Sequence, residues 1–218
     1  KITQVLVIRV LPKVFSKGTT MQHDSPVAFD VPTQLRRLVQ LGVPALTGYS
    51  NDDFVSMGQS LSAATQHGLL VVHPSLIPPS ALAPLLARDD KPGFVVVDMT
   101  DLDEFEPIEG VSIPDEPLYV IGDIDRGEDM LNWSPEEALL EITHRGRRPL
   151  TISEGISWLL QQPKALEPNK CFMTIASRKR KSTGKGLDAR TPAIWISNGT
   201  GRDGSANRGA PKVGWCWA

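Results

Sequence analysis

The sequence predicts an α+β domain with a mixed, largely antiparallel sheet, flanking helices and a C-terminal antiparallel meander. Two observations carry this prediction. Helix-type and strand-type periodicities alternate loosely through the first three quarters of the chain. Three strand patterns then follow one another with no helix between them, and consecutive strands of this kind usually pair antiparallel. A doubly wound sheet is the alternative fold.

The first half of the chain alternates helices with short apolar strands. In "VPTQLRRLVQLG", Leu35, Leu38 and Leu41 recur on one helical face, and Gly42 is a stop signal. Ser50 opens a second helix in "SNDDFVSMGQSLSAATQHG", and the strand "LLVVH" follows it directly. "PPSALAPLLARDD" predicts a short helix after a proline-rich entry. "PGFVVVDMTDL" predicts a buried strand that ends in acidic residues.

The second half carries the strongest helix signals and then the strands of the meander. A strand is predicted from Leu118 to about Ile124. The spacing in "SPEEALLEITHRG" and "LTISEGISWLLQQP" places a capping residue three positions before a glutamate in both segments. Each therefore predicts a helix with a capping box. The strands "CFMTIAS", "AIWIS" and "VGWCW" complete the chain.

The two ends of the chain look unlike a natural start and finish. The segment "KITQVLVIRVLPKVFSKGTT" has no initiator methionine, and an arginine interrupts its apolar stretch, which is not typical of a signal peptide. We therefore predict that residues 1–24 are a non-native or upstream extension, with Met21 a plausible native start, and that residues 25–218 form a single domain. The last residues are an apolar strand pattern, so we expect the domain to be cut short there.

Composition is that of an ordinary globular protein, with 40% hydrophobic and 22% charged residues in 218. The longest apolar runs, "LLVV" and "FVVV", are far shorter than the roughly 20 residues that a membrane-spanning helix needs. We therefore expect no membrane partner. Cys171 and Cys216 are the only cysteines, too few for a disulfide framework, and we expect them to be reduced core thiols in a cytoplasmic protein.

Charge is distributed unevenly along the chain. From Lys164 onward there are eleven lysines and arginines against three acidic residues, a net charge of +8, whereas residues 1–163 have a net charge of −10. The stretch "SRKRKSTGKGLDAR" places four successive cations at the end of a strand, and such a hairpin attracts phosphates without reading bases. The predicted anion or nucleic-acid site comprises Arg178, Lys179, Arg180, Lys181, Lys185, Arg190, Arg202, Arg208 and Lys212. The alternative is a solvated hairpin tip.

The glycine-rich segment "SNGTGRDGSANRGAPK" invites comparison with phosphate-binding loops. It lacks the Gly-Lys-Ser or Gly-Lys-Thr ending, and no helix is predicted after it, which excludes a P-loop and a dinucleotide fingerprint. Two interpretations stay open. Either Arg202, Arg208 and Lys212 close over an anion, or the segment is purely a structural connection.

Acidic residues follow two of the predicted strands. If those strands are neighbours that run the same way, Asp98, Asp123 and Asp125 converge at one end of the sheet, where they would bind Mg²⁺. "GDIDRGED" is similar to a stretch of metal-dependent phosphoesterases but is one residue short and lacks the histidine motifs. A solvated acidic loop before the next helix is the other interpretation. No catalytic residues can be assembled from the sequence.

Several ordered segments together resemble a known family. They are "PGFVVVDMTDLDEFEPIEGV", "DRGEDMLNWSPEEAL", "RGRRPLTISEGI", "NKCFMTIASRKRK", "TPAIWISNGTGRDG" and "GAPKVGWCWA". Residues 25–218 are similar to an uncharacterised family of actinobacterial proteins that carries only a domain-of-unknown-function label. The resemblance implies a cytoplasmic bacterial context, and it implies neither an activity nor catalytic residues.

The leading functional hypothesis is a non-enzymatic cytoplasmic binding protein whose basic C-terminal hairpin contacts a phosphate-bearing partner, such as RNA or a ribonucleoprotein. No cofactor is expected under this hypothesis. One alternative is a metal-dependent phosphoester hydrolase with Mg²⁺ at Asp98, Asp123 and Asp125. The other alternative is a protein–protein interaction domain.

Overall fold

The computed structural model of the protein describes residues 2–5, 7–8, 30–64 and 68–217. Its α-helices are α1 (Val31–Gln40), α2 (Asn51–Ala64), α3 (Pro79–Leu82), α4 (Pro135–His144) and α5 (Ile152–Gln161). Its strands are β1 (Ile2–Val5), β2 (Val7–Ile8), β3 (Leu69–Val72), β4 (Ala87–Arg88), β5 (Lys91–Pro92), β6 (Phe94–Val95), β7 (Glu106–Pro107), β8 (Leu118–Ile121), β9 (Ile124–Asp125), β10 (Arg148–Pro149), β11 (Lys170–Met173), β12 (Ser177–Arg178), β13 (Arg190–Ile196) and β14 (Pro211–Trp217).

The largest sheet confirms the predicted α+β class. Its strand order is β1-β11-β13-β14-β6, with antiparallel pairing of β11 with β13 and of β13 with β14. This is the predicted C-terminal meander. Parallel strands flank it, because β1 pairs with β11 and β6 pairs with β14 in the same direction. The sheet is therefore mixed, and its antiparallel centre does not fit the doubly wound alternative.

Part of the predicted extension takes up positions in two sheets. Residues 2–5 form β1, and residues 7–8 form β2, which lies between β10 and β9 in a three-stranded antiparallel sheet. The remainder of that extension, including Met21 and the boundary at residue 24, lies outside the described residues. The origin of the extension stays a prediction.

The capping boxes that the sequence predicts are present at the starts of α4 and α5. At α4, the backbone N–H of Glu137 donates to Ser134 Oγ while the Glu137 carboxylate accepts from Ser134 N–H. Thr151 and Glu154 repeat this arrangement at α5. The whole of α5 is buried, so this helix forms the centre of the core.

The central sheet has apolar packing on both faces. A large core cluster includes α1, β3, β8 and α5, and a smaller one gathers around Met130, Ala138 and Met173. Trp215 packs against the large cluster and Cys216 against the small one. Because neighbouring side chains of a strand point to opposite faces, β14 contributes to both clusters at once.

The predicted buried strand in "PGFVVVDMTDL" is shorter than expected. Only Phe94 and Val95 pair as β6, and Val97 is 69% exposed. The chain turns at this point, since Met99 N–H donates to Val96 C=O and Leu102 N–H donates to Met99 C=O. The turn carries the acidic residues that follow toward the C-terminal third of the chain. No helix in the described part of the chain is long and apolar enough to cross a membrane.

Candidate functional site

The four successive cations lie on a well-formed hairpin, which we call the basic hairpin (residues 178–190). Its first arm begins in β12, which pairs with β7, and an isolated antiparallel bridge between Arg180 and Leu187 joins its two arms. Lys181 N–H donates to Gly186 C=O at 3.1 Å. Gly184 and Gly186 have φ of +72° and +77°, values that residues other than glycine adopt only with strain. Hydrogen bonds and glycines thus fix the turn that carries the charges.

The cations at the base of the basic hairpin are neutralised by Asp101. Arg190 binds this carboxylate through two nitrogens, at 3.0 and 2.6 Å, and Lys179 Nζ lies 2.8 Å from it. Glu104 adds a second partner for Lys179 at 2.9 Å, and Asp188 one for Arg190 at 2.9 Å. The hydrogen bonds from Arg190 hold the pKa of Asp101 far below its usual range. Both cations are therefore committed to internal ion pairs.

The cations at the tip are different. Arg180, Lys181 and Lys185 are exposed, and none forms an ion pair with any residue that the structure describes. Arg178 lies between these two groups in how far its guanidinium is satisfied. Its Nη2 donates to the Asp188 carbonyl at 2.8 Å, while its buried Nε has no hydrogen-bond partner among the described residues. Burial lowers the pKa of Arg178. Positive charge available to a ligand is thus concentrated at the tip.

A cleft of about 990 Å³ lies beside the basic hairpin. Apolar lining comes from Pro107, Ile108, Pro135, Leu139, Ile175 and Leu187. Four exposed lining carboxylates, those of Asp103, Glu106, Glu109 and Glu136, form no ion pair within the described part of the chain, and Asp103 accepts hydrogen bonds from Ser80. Arg178 and Arg180 also line it. The cleft therefore combines an apolar lining with available charges of both signs.

The glycine-rich loop (residues 197–210) is stabilised by its own carboxylate. Lys212 Nζ lies 2.6 and 2.8 Å from the two oxygens of buried Asp203, and Ser197 Oγ donates to the same carboxylate at 3.0 Å. Lys212 Nζ also lies 4.6 Å from the centre of the Trp195 ring. Lys212, predicted as an anion ligand, thus forms an internal ion pair.

The other two predicted cations of the glycine-rich loop have separate environments. Arg202 pairs with Asp98 at 2.5 Å. Arg208 is exposed and its side chain forms no ion pair with the described residues, while its carbonyl accepts from Lys91 Nζ at 2.5 Å. Of the three cations expected to close over an anion, the structure leaves only Arg208 without an acidic partner. This arrangement favours the interpretation of the loop as a structural connection.

The structure does not bring the predicted metal ligands together. Asp98 accepts from Arg202, and Asp123 accepts from Arg147 Nη1 at 3.1 Å. Asp125 accepts from the backbone of Gly127 at 2.8 Å. Among the described residues, no group of three or more His, Cys, Asp or Glu side chains is arranged to hold a metal ion. The strands that precede Asp98 and Asp123 are β6 and β8, and they belong to different sheets, so they are not the neighbours that the prediction required.

Sequence reasoning missed two groups of charged residues. Asp101 is one acid in an acidic run, and no local pattern distinguishes it from its neighbours. The second group lies in the core, where Arg148 binds fully buried Glu154 at 2.5 and 2.9 Å and Tyr119 Oη donates to the same carboxylate at 3.1 Å. Burial raises the pKa of Tyr119, so this hydroxyl stays protonated as a donor. The capping box of Thr151 was the signal that pointed to Glu154.

Comparison with known proteins yields one family. No curated protein matches the chain, and no solved structure does. A family described as "Family of unknown function (DUF5701)" matches residues 37–218, which include the basic hairpin, the cleft and the glycine-rich loop. That span agrees with the resemblance seen in the sequence, and the actinobacterial origin stays a prediction. The chain belongs to this family of unknown function, DUF5701.

Proposed function

We propose that this is a binding protein whose basic hairpin contacts the phosphate groups of a partner, most simply RNA. A single observation carries the proposal: Arg180, Lys181 and Lys185 are exposed at the hairpin tip without an ion pair in the described part of the chain. Cations that are already neutralised contribute little to phosphate binding, whereas solvated cations release counterions from the nucleic acid. A cytoplasmic location is part of the same proposal.

The number of phosphates that the protein contacts determines how steeply its affinity for RNA falls with salt concentration. Each phosphate neutralised on a single strand contributes about −0.7 to the slope of log affinity against log salt concentration. If only the three cations at the tip participate, we expect a slope of about −2. A slope of about −6 is expected if all nine cations predicted from the sequence participate. The slope therefore distinguishes a local contact from a broad basic surface.

The experiment measures fluorescence anisotropy of a labelled single-stranded RNA between 50 and 200 mM salt, about the range over which such contacts weaken steeply. The test variant is Arg180→Gln with Lys181→Gln. The matched control is Arg36→Gln with Lys164→Gln, which also removes one arginine and one lysine, both exposed and on other elements. We expect the slope to fall by about 1.4 in the test variant and to stay unchanged in the control. Absence of binding at low salt, or equal losses in both variants, would overturn the proposal.

A second candidate function rests on the cleft. Its apolar lining and the carboxylates of Glu106, Glu109 and Glu136 complement a lysine-rich segment of a partner protein with interspersed apolar residues. Under this proposal the protein is an interaction domain, and the carboxylates repel rather than attract nucleic acid.

The test of the cleft uses a synthetic peptide that alternates lysine and leucine, with binding measured by calorimetry. We expect Glu106→Gln with Glu136→Gln to weaken binding several-fold, because each removes a charge from the cleft. Asp52→Asn with Glu116→Gln is the matched control, since both residues are exposed and neither lines the cleft. Equal affinity in all three proteins would exclude the cleft as the binding site.

A further inference from the structure

The two cysteines of the chain face each other in the fold. Cys171 lies on β11 and Cys216 on β14, the strands on either side of β13, and their sulfur atoms are 3.6 Å apart. Both side chains pack against the smaller core cluster, so they occupy the same face of the sheet. Both are only half-buried. No other cysteine is present in the sequence. The pair is therefore a dithiol in which each sulfur is within contact distance of the only other cysteine in the sequence.

We propose that this dithiol is a reversible modification site, which is converted to a disulfide by exchange with a low-molecular-weight disulfide. A disulfide bond requires the sulfur atoms to approach to about 2.05 Å, so their separation must shrink by roughly 1.5 Å from the reduced arrangement. The inference rests on the geometry of β11 and β14 and does not depend on RNA or peptide binding.

The exchange consists of two balanced steps. The thiolate of one cysteine attacks a sulfur of the small disulfide, forms a mixed disulfide and releases one small thiolate. The thiolate of the second cysteine then attacks the protein sulfur of the mixed disulfide, forms the Cys171–Cys216 bond and releases the second small thiolate. The two cysteines lose two protons and two electrons, and the small disulfide gains both as two thiols. Because the second sulfur lies beside the first, the second step is intramolecular and fast.

The bond would enclose the region that carries the predicted ligand contacts. Residues 171–216 contain both the basic hairpin and the glycine-rich loop, and a Cys171–Cys216 bond would fix both ends of this segment to each other. Closing a loop of this length restricts the unfolded chain and stabilises the folded one. We expect the midpoint of thermal unfolding to rise by roughly 5–15 °C on oxidation and to return after reduction.

The experiment treats the full chain with oxidised glutathione and follows the intact mass. We expect the wild type to lose two hydrogen atoms and to retain no glutathione, with dithiothreitol restoring the original mass. The variants Cys171→Ser and Cys216→Ser are expected to stop at a stable glutathione adduct, because the resolving thiol is absent. Peptide mapping of the oxidised wild type must recover Cys171 joined to Cys216, a readout that holds even if a serine variant fails to fold.

Three results would overturn the proposal. A stable glutathione adduct on the wild type would mean that the second sulfur is out of reach. Disulfide-linked dimers on a non-reducing gel would mean that the thiols pair between molecules. Unchanged thiol titration after exposure to oxidised glutathione would mean that packing against the smaller core cluster protects both sulfurs from exchange.

Discussion

The basic hairpin and the glycine-rich loop carry similar sequence signals and have opposite environments. Both are glycine-containing connections between strands, and both carry basic residues, six in the hairpin and two, Arg202 and Arg208, in the loop. In the loop, Asp203 pairs with Lys212 of the adjoining strand β14 and Arg202 pairs with Asp98, so only Arg208 is left without an acidic partner among the described residues. In the hairpin, acidic partners reach only the base, and the tip projects beyond them. Whether a cation is available to a ligand thus depends on which acidic side chains lie within reach of it. The number of cations in the segment does not decide this.

The same comparison explains the charge asymmetry of the chain. The acidic residues that follow β6 turn toward the C-terminal third, where Asp98 and Asp101 meet cations that are far away in sequence. The excess of acidic residues before Lys164 therefore compensates part of the positive excess after it. At the tip of the basic hairpin, Arg180, Lys181 and Lys185 have no such acidic partner among the described residues.

The largest expected effect comes from removing the carboxylate of the glycine-rich loop. Asp203→Asn leaves the ammonium of Lys212 without its charge partner at a site where the two side chains are only 8% and 14% exposed. We expect the free energy of unfolding, measured in urea, to fall by about 3–5 kcal/mol. The double variant Asp203→Asn with Lys212→Met is expected to recover part of the loss, because no unpaired charge stays buried. A loss below about 1 kcal/mol in the single variant would contradict the internal ion pair.

A smaller loss of stability is expected at the base of the hairpin. Asp101→Asn removes the common partner of Lys179 and Arg190 and is expected to cost about 1–3 kcal/mol, since the ions are partly solvated. The same change leaves Lys179 paired with Glu104 alone and Arg190 with Asp188 alone, so the net positive charge at the base rises by one and the salt dependence of RNA binding should become steeper. Asp115→Asn is the control, because Asp115 is exposed and has no ion pair within the described residues. If the salt dependence became equally steep in Asp101→Asn and in Asp115→Asn, the change in net charge alone would explain the effect, and the release of specific cations would not.

The ion pairs of Asp101 also predict how stability depends on pH. Hydrogen bonds from Arg190 hold the pKa of Asp101 in the folded protein below its ordinary value near 3.8. The contribution of this carboxylate is therefore fully present above the ordinary value and is lost as pH falls through and below it. We expect the difference in unfolding free energy between wild type and Asp101→Asn to shrink as pH is lowered from about 5 to about 2. A difference that is constant over this range would contradict the ionic role of Asp101.

The smallest effects on stability are expected from the exposed cations. Arg202 is 69% exposed, so we expect Arg202→Gln to change the free energy of unfolding by less than about 1 kcal/mol. Arg180→Gln with Lys181→Gln is expected to stay within about 0.5 kcal/mol of wild type, because no described contact is lost. Only the second variant is expected to reduce RNA binding. Thermal unfolding and anisotropy measured on the same samples separate the two effects.

Local interactions explain which parts of the fold were predictable. Ser134 with Glu137 and Thr151 with Glu154 satisfy backbone groups within one helical turn, so their spacing predicts the helix starts that the structure has. The strand expected in "PGFVVVDMTDL" was predicted too long, because apolar character alone does not reveal the turn that begins at Val96. The predicted convergence of Asp98 with Asp123 required β6 and β8 to be neighbours, and strand order is not a local property.

The sequence by itself determined the capped helices, the antiparallel meander and the uneven distribution of charge, because these depend on neighbouring residues or on composition. Only the tertiary structure decided which charges remain available and that the two sulfurs meet. Arg202 and Asp98 are 104 positions apart in the chain, and Cys171 and Cys216 are 45 positions apart. Contacts over such separations depend on strand order and core packing, which bring Asp98 to Arg202 and leave the tip of the basic hairpin in solvent.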